Sequence, residues 1–200
     1  VAVGQAEEAV VKRAIGVAAL GAVVVLASPR AFADDSTQAP AYVAGGVGVS
    51  FWDFPHLQFG PFSTGYSWTG FNPVVEVGYH FSGRHDGFVL GLRQGFSVTA
   101  IQGRAAGTTV VRGGYDLAFK AGSLEVNVDP FATVGVGYVF DGPSAGIEAT
   151  GGIDVKLFFT KGFFAYARPA ELGFPCFHDV GDCAFVYAAG VGAGFAFGGS

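Results

Sequence analysis

Three sets of residues in this chain have types and spacings that can do chemistry. His80 and Ser82 lie two apart, so on a strand a base and a hydroxyl would share one face, the beginning of a hydrolytic site. The next acid after Ser82 is Asp86, which falls in a turn, and alternation points His80 inward. Two polar residues at a strand end explain the pair without catalysis, and no catalytic residue is expected. Cys176 and Cys183 enclose His178, Asp179 and Asp182. That set reads either as a metal site or, with only two cysteines in an exported chain, as a disulfide within one loop; the disulfide is the expectation, with no bound metal or cofactor. Gly45, Gly46 and Gly48 suggest a phosphate loop, but no G-x-G-x-x-G or Walker pattern follows, and small residues at strand period fit a crowded interior. The third set is a series of charged residues embedded in otherwise apolar segments.

The elements that position these residues follow from composition. Half of the 200 residues are hydrophobic and only 14% are charged, with 33 Gly and 21 Phe. Disorder needs the opposite balance, and so much glycine disfavours a helical fold. A net charge of −5 leaves no basic footprint, so nucleic acid is not an expected partner. Lys12 and Arg13 precede an apolar run of 14 residues, Ala14 to Ala27, and Ala31-Phe32-Ala33 then offers a small-x-small cleavage site before Asp34. This is the pattern of a signal peptide over residues 1–33, too short for a spanning helix. Residues 1–10 read as an over-extended start.

From Asp34 onward, eight segments alternate in character at strand period: 42–51, 74–81, 88–99, 109–120, 124–138, 147–159, 163–172 and 184–197. The seventh is ambiguous around Arg168 and Pro169. Connections at 82–87, 121–123 and 160–162 are tight, whereas those at 53–72 and 173–183 are long. Alternating short and long connections, with strands near ten residues, predict an all-β, eight-stranded antiparallel up-and-down transmembrane barrel.

Energetics choose the lipid-facing side. A Lys or Arg on the lipid face at midplane costs ~2–4 kcal/mol, so Arg93, Arg112 and Lys156 must point inward and the Val/Leu/Phe face outward. The inward set then holds six anions, Glu76, Asp116, Glu125, Asp129, Glu148 and Asp154, against five cations, Arg93, Arg112, Lys120, Lys156 and Arg168. Near-balance of sign predicts a paired network that closes the lumen, with Glu125, Asp129 and Glu148 reaching between Arg93 and Arg112. Trp52, Phe54, Tyr66, Trp68 and Phe71 are expected to form an outer aromatic girdle, and Tyr79, Phe81, Phe88, Phe119, Phe159 and Phe163 a periplasmic one.

The leader, the eight alternating segments and the turn rhythm together resemble the small eight-stranded outer-membrane barrels of the outer-membrane protein A and X type. The final strand, with Tyr187, Phe195 and Phe197 on one face, resembles the signal read by the barrel-assembly machinery. The resemblance implies a Gram-negative outer membrane, with membrane lipid and that machinery as partners. It also implies a structural, adhesive or surface-recognition role through extracellular loops toward an unknown ligand. A narrow, porin-like solute channel is the alternative. A His-x-Ser pair also occurs in outer-membrane lipid A deacylases, which makes a lipid-modifying enzyme a further reading.

Overall fold

The computed structural model describes residues 40–59, 62–84, 86–98, 105–121, 124–140, 145–160, 162–177 and 182–198, without the side chains of 54–59, 62–68, 121 and 182. The cleavage site at Ala31, Ala33 and Asp34 and the loop residues His178 and Asp179 lie outside these residues. The strands are β1 Ala41–Phe59, β2 Phe62–His80, β3 Gly87–Val98, β4 Ala105–Ala121, β5 Leu124–Val139, β6 Ala145–Phe158, β7 Phe163–Phe177, β8 Asp182–Cys183 and β9 Phe185–Phe197. All pairings are antiparallel, and they join sequence neighbours except that β7 pairs with β9 past the short β8, which only extends the end of β7, and that β1 pairs with β9 and closes the cylinder. Eight strands thus form a closed up-and-down barrel. Closure leaves no edge among the barrel strands, the condition for a sheet at membrane depth.

Alternation sorts the side chains as the period-2 pattern requires. Val47, Val49, Val77, Leu90, Leu92, Val111, Leu117, Val134, Val136 and Val191 are exposed on the outer wall. Tyr79, Phe81, Phe88, Phe119 and Phe159 ring the lower end, and Phe51, Phe71, Phe140, Phe174, Phe185 and Tyr187 ring the upper one. On β1 and β9 about ten residues separate the two rings, the length a tilted strand needs to cross a bilayer.

Two expectations are corrected. The first long connection is strand: β1 and β2 pair as far as Phe59 with Phe62, with one irregularity between Phe54 and Leu57. Residues 173–177 likewise continue β7. The turn residues at 53–72 are interrupted by aromatic and β-branched residues that favour extension, so the length sits in a hairpin above the barrel. Trp52 is not a girdle residue. It is 4% exposed and faces inward, donating from Nε1 to Ser50 Oγ at 3.1 Å and lying against Phe177.

Candidate functional site

The lumen is filled at three levels. Trp52, Phe177, Ala184 and Val186 form an apolar plug at the top. Tyr42, Ala44, Val89, Phe158, Phe164, Tyr166 and Ala196 form another at the bottom. Between them lies a network of buried charge centred on Arg112, which is fully buried. Its Nη1 donates to Glu76 Oε1 and to the Tyr42 hydroxyl, both at 3.0 Å; its Nη2 donates to Asp129 Oδ2 at 2.6 Å and Asp154 Oδ2 at 3.0 Å. Lys156 Nζ donates to Asp116 Oδ2 at 2.7 Å and Asp129 Oδ2 at 2.8 Å. His80 Nε2 lies 2.6 Å from the same Asp116 oxygen. Arg168 grips Asp154 through Nε at 2.7 Å and Nη2 at 2.8 Å. Each charge has been taken out of water, so the arrangement is tolerable only because each of these groups meets an opposite charge, although Arg112 Nε, Asp116 Oδ1 and Asp129 Oδ1 have no hydrogen-bond partner.

A bulge in β7 makes the network possible. Three β7 residues, from Arg168 to Glu171, span what β9 covers in two, Gly190 to Ala188, and the same slip appears against β6 between Ile153 and Val155. The extra residue switches the parity of β7: Phe164, Tyr166 and Arg168 are buried before it, Glu171, Gly173, Pro175 and Phe177 after it. Arg168 and Glu171 therefore both face the lumen, with Nη1 to Oε2 at 3.3 Å. Glu171 also takes Arg93 in a two-pronged grip, through Nη1 at 3.0 Å and through Nη2. At the bulge the outward Pro169 carbonyl accepts a hydrogen bond from the Tyr187 hydroxyl at 3.0 Å.

Nine of the eleven residues expected inside are buried there: Glu76, Arg93, Arg112, Asp116, Asp129, Glu148, Asp154, Lys156 and Arg168. Lys120 is a correction. It is exposed, and Glu125, its cross-strand partner, is only half-buried. The pair lies one step from the ends of β4 and β5, where the strands have already left the lumen. Glu148 is also corrected in its role. It reaches no arginine, and the place foreseen for it beside Arg93 belongs to Glu171. Alternation through Asp129 and Thr133 puts Phe131 inward, a signal left unread. Its ring lies 4.4 Å from the Arg112 guanidinium carbon, 4.7 Å from that of Arg168 and 5.6 Å from that of Arg93. One aromatic ring thus lies against three cations.

His80 and Ser82 do not come together. His80 is buried against Asp116, whereas Ser82 is exposed in the turn and donates to the main-chain oxygens of Arg84 and Asp86. Cys176 and Cys183 are disulfide-bonded. They are strand partners on β7 and β8, not residues of one loop, because the strand continues past the expected boundary. Among the described residues no three of His, Cys, Asp and Glu are grouped to hold a metal. Tyr187 and Phe197 are exposed and Phe195 half-exposed, all on the outward face of β9.

No family model and no curated protein sequence matches the chain. Solved structures do. Neisserial surface protein A aligns over 78% of this chain and 97% of its own, at 12% identity and a TM-score of 0.57. The N-terminal β-barrel domain of Pseudomonas aeruginosa OprF aligns over 80% and 99%, at 17% identity and a TM-score of 0.45. The attachment invasion locus protein of Yersinia pestis aligns over 79% and 99%, at 14% identity and a TM-score of 0.36. The first of these likenesses establishes the fold as that of the small eight-stranded outer-membrane barrels.

Proposed function

We propose that this protein is a closed-lumen barrel of a bacterial outer membrane that works at the cell surface through the β1–β2 hairpin and neighbouring loops, in a structural, adhesive or recognition role. One observation carries this reading: the lumen is occupied along its length, by an apolar plug at each end and paired charge between. An eight-stranded barrel has an interior just wide enough for its own side chains, and these side chains use it. The exposed apolar belt between two aromatic rings supports membrane lipid as the surroundings. Reach supports the surface role. Past Phe51, β1 runs on to Phe59, roughly 25 Å of extended chain at ~3.3 Å per residue.

Outer-membrane fractionation with heat-modifiable gel migration tests the location. Planar-bilayer recording of the refolded chain tests the closed lumen: background current is expected, and steady ion-selective current overturns it. The channel reading has one observation in its favour, a small polar chamber beneath the upper plug.

A further inference from the structure

Barrel closure ends where the shorter strands end. The β2–β3 ladder stops at Phe71 opposite Val98, and the β1–β9 ladder stops at Asp53 opposite Phe185. Above those points, among the described residues, β1 and β2 pair only with each other, as far as Phe59 opposite Phe62. The hairpin is therefore a two-stranded ribbon with two edges. Such a ribbon is marginally stable by itself in water, and a third strand makes it secure.

The two edges differ. β1 carries Pro55, and the irregularity between Phe54 and Leu57 adds a residue to it. Proline removes a donor and a bulge twists a strand away, and both keep an edge from pairing. Residues 62–70 of β2 read Phe-Ser-Thr-Gly-Tyr-Ser-Trp-Thr-Gly, without a proline or a charge, so the usual guards of an open edge are missing there. Every second residue of this stretch turns its N–H and C=O away from β1. The edge runs for roughly 30 Å at ~3.3 Å per residue, along the line of the β2–β3 ladder.

The chain's own connections are too short to cover it. Val98 pairs with Ala105, so residues 99–104 must leave and return at that level, and half of them span roughly 10 Å. The connections 141–144 and 178–181 are shorter still. A second copy in the same membrane presents its β2 in the same direction, which permits only parallel pairing, the slightly weaker kind. Donors and acceptors alternating at ladder spacing are what an extended polypeptide supplies. The edge has no charge with which to match a charged one.

We propose that the free edge of β2, residues 62–70, is the docking site for an extended, uncharged segment of another protein, added antiparallel as a further strand. The proposal rests on the hairpin being the surface element and names the class of partner it takes.

The test uses the full chain refolded in phosphatidylcholine nanodiscs. Its probe is a synthetic peptide of alternating valine and threonine, as long as the edge. A second peptide, N-methylated throughout, keeps the side chains and gives up its donors. Saturable binding of one probe per chain is expected, weaker by about tenfold or more for the methylated peptide. Joint Ser63→Lys and Ser67→Lys substitution, which gives β2 the guard it lacks, is expected to abolish binding, whereas Gln58→Lys on β1 retains it. No saturable binding, equal binding of the two peptides, or undiminished binding by the double variant overturns the proposal. So does a chain that is dimeric in detergent and monomeric in the double variant, because a second copy then holds the edge. The measurement needs no cell surface: its failure leaves fractionation and conductance to judge the wider reading, and steady current overturns that reading without changing the peptide result.

Discussion

Arg168 and Glu171, three residues apart on one strand, point into the same lumen and bond to each other at 3.3 Å. On a regular strand, residues three apart face opposite ways. Here the bulge at Pro169 and Ala170 supplies the missing step, and it brings Glu171 to Arg93 on the far wall.

Removing Ala170 should leave Arg168 and Glu171 two apart, so that regular alternation keeps both in the lumen and only the bulge is lost. The barrel is expected still to reach its compact, heat-modifiable form on a gel, and failure to do so would show that the bulge itself is needed. Glu171→Gln, which leaves the bulge intact, should fold with a lowered urea midpoint.

Arg112→Met removes the cation shared by Glu76, Asp129 and Asp154. Breaking a buried pair by deleting one partner costs ~3–5 kcal/mol, and urea unfolding in detergent should read a loss of that order. Arg112→Lys keeps the charge but not the fork, so its loss should be smaller yet measurable.

Tyr187→Phe isolates a single hydrogen bond, because only the hydroxyl that caps the Pro169 carbonyl is lost. An unpaired carbonyl shielded from water costs ~1–3 kcal/mol. Equal stability of the variant and wild type would show that water reaches the bulge.

Reduction of Cys176–Cys183 should loosen the upper rim and leave the barrel folded. The bridge closes a loop with a sequence separation of 7, and short loops gain least from closure. Limited proteolysis should cut between β7 and β9 faster in the reduced protein, while heat-modifiable migration is unchanged.

Much of this was legible because alternation is a strong signal wherever one face is lipid and the other is packed. The inward positions of Arg93, Arg112, Asp116, Asp129, Asp154 and Lys156 follow from parity and the cost of a charge in hydrocarbon. Parity fails where a strand slips, so Glu171 was invisible: no residue type announces a bulge, and Pro169 only blurred the pattern. Trp52 was misplaced for a different reason. Its type favours an interface, but its inward position on β1, one step past Phe51, decided for the plug. The β1–β2 extension was hidden by turn-forming residues that local pairing overrides. Pairings within the network were beyond reach, since which acid meets which arginine depends on partners up to 78 residues apart.

At mid-barrel the seam where β1 meets β9 is built without side chains on its inner side. Gly46 faces Gly192 and Gly48 faces Gly190. A Cβ on Gly48 would lie 2.3 Å from the Ala189 carbonyl oxygen, and one on Gly192 as close to that of Gly45. The seam thus joins the most distant strands in the sequence by main chain on its inner face at mid-barrel, while Trp52 opposite Val186 and Phe51 against Tyr187 meet nearer its upper end. Every other strand can find its partner as soon as the adjoining hairpin forms, but this contact must wait until β9 has been delivered. Assembly is therefore timed by the last strand: until it arrives, β1 keeps an open edge, and the charges of the lumen stand in water.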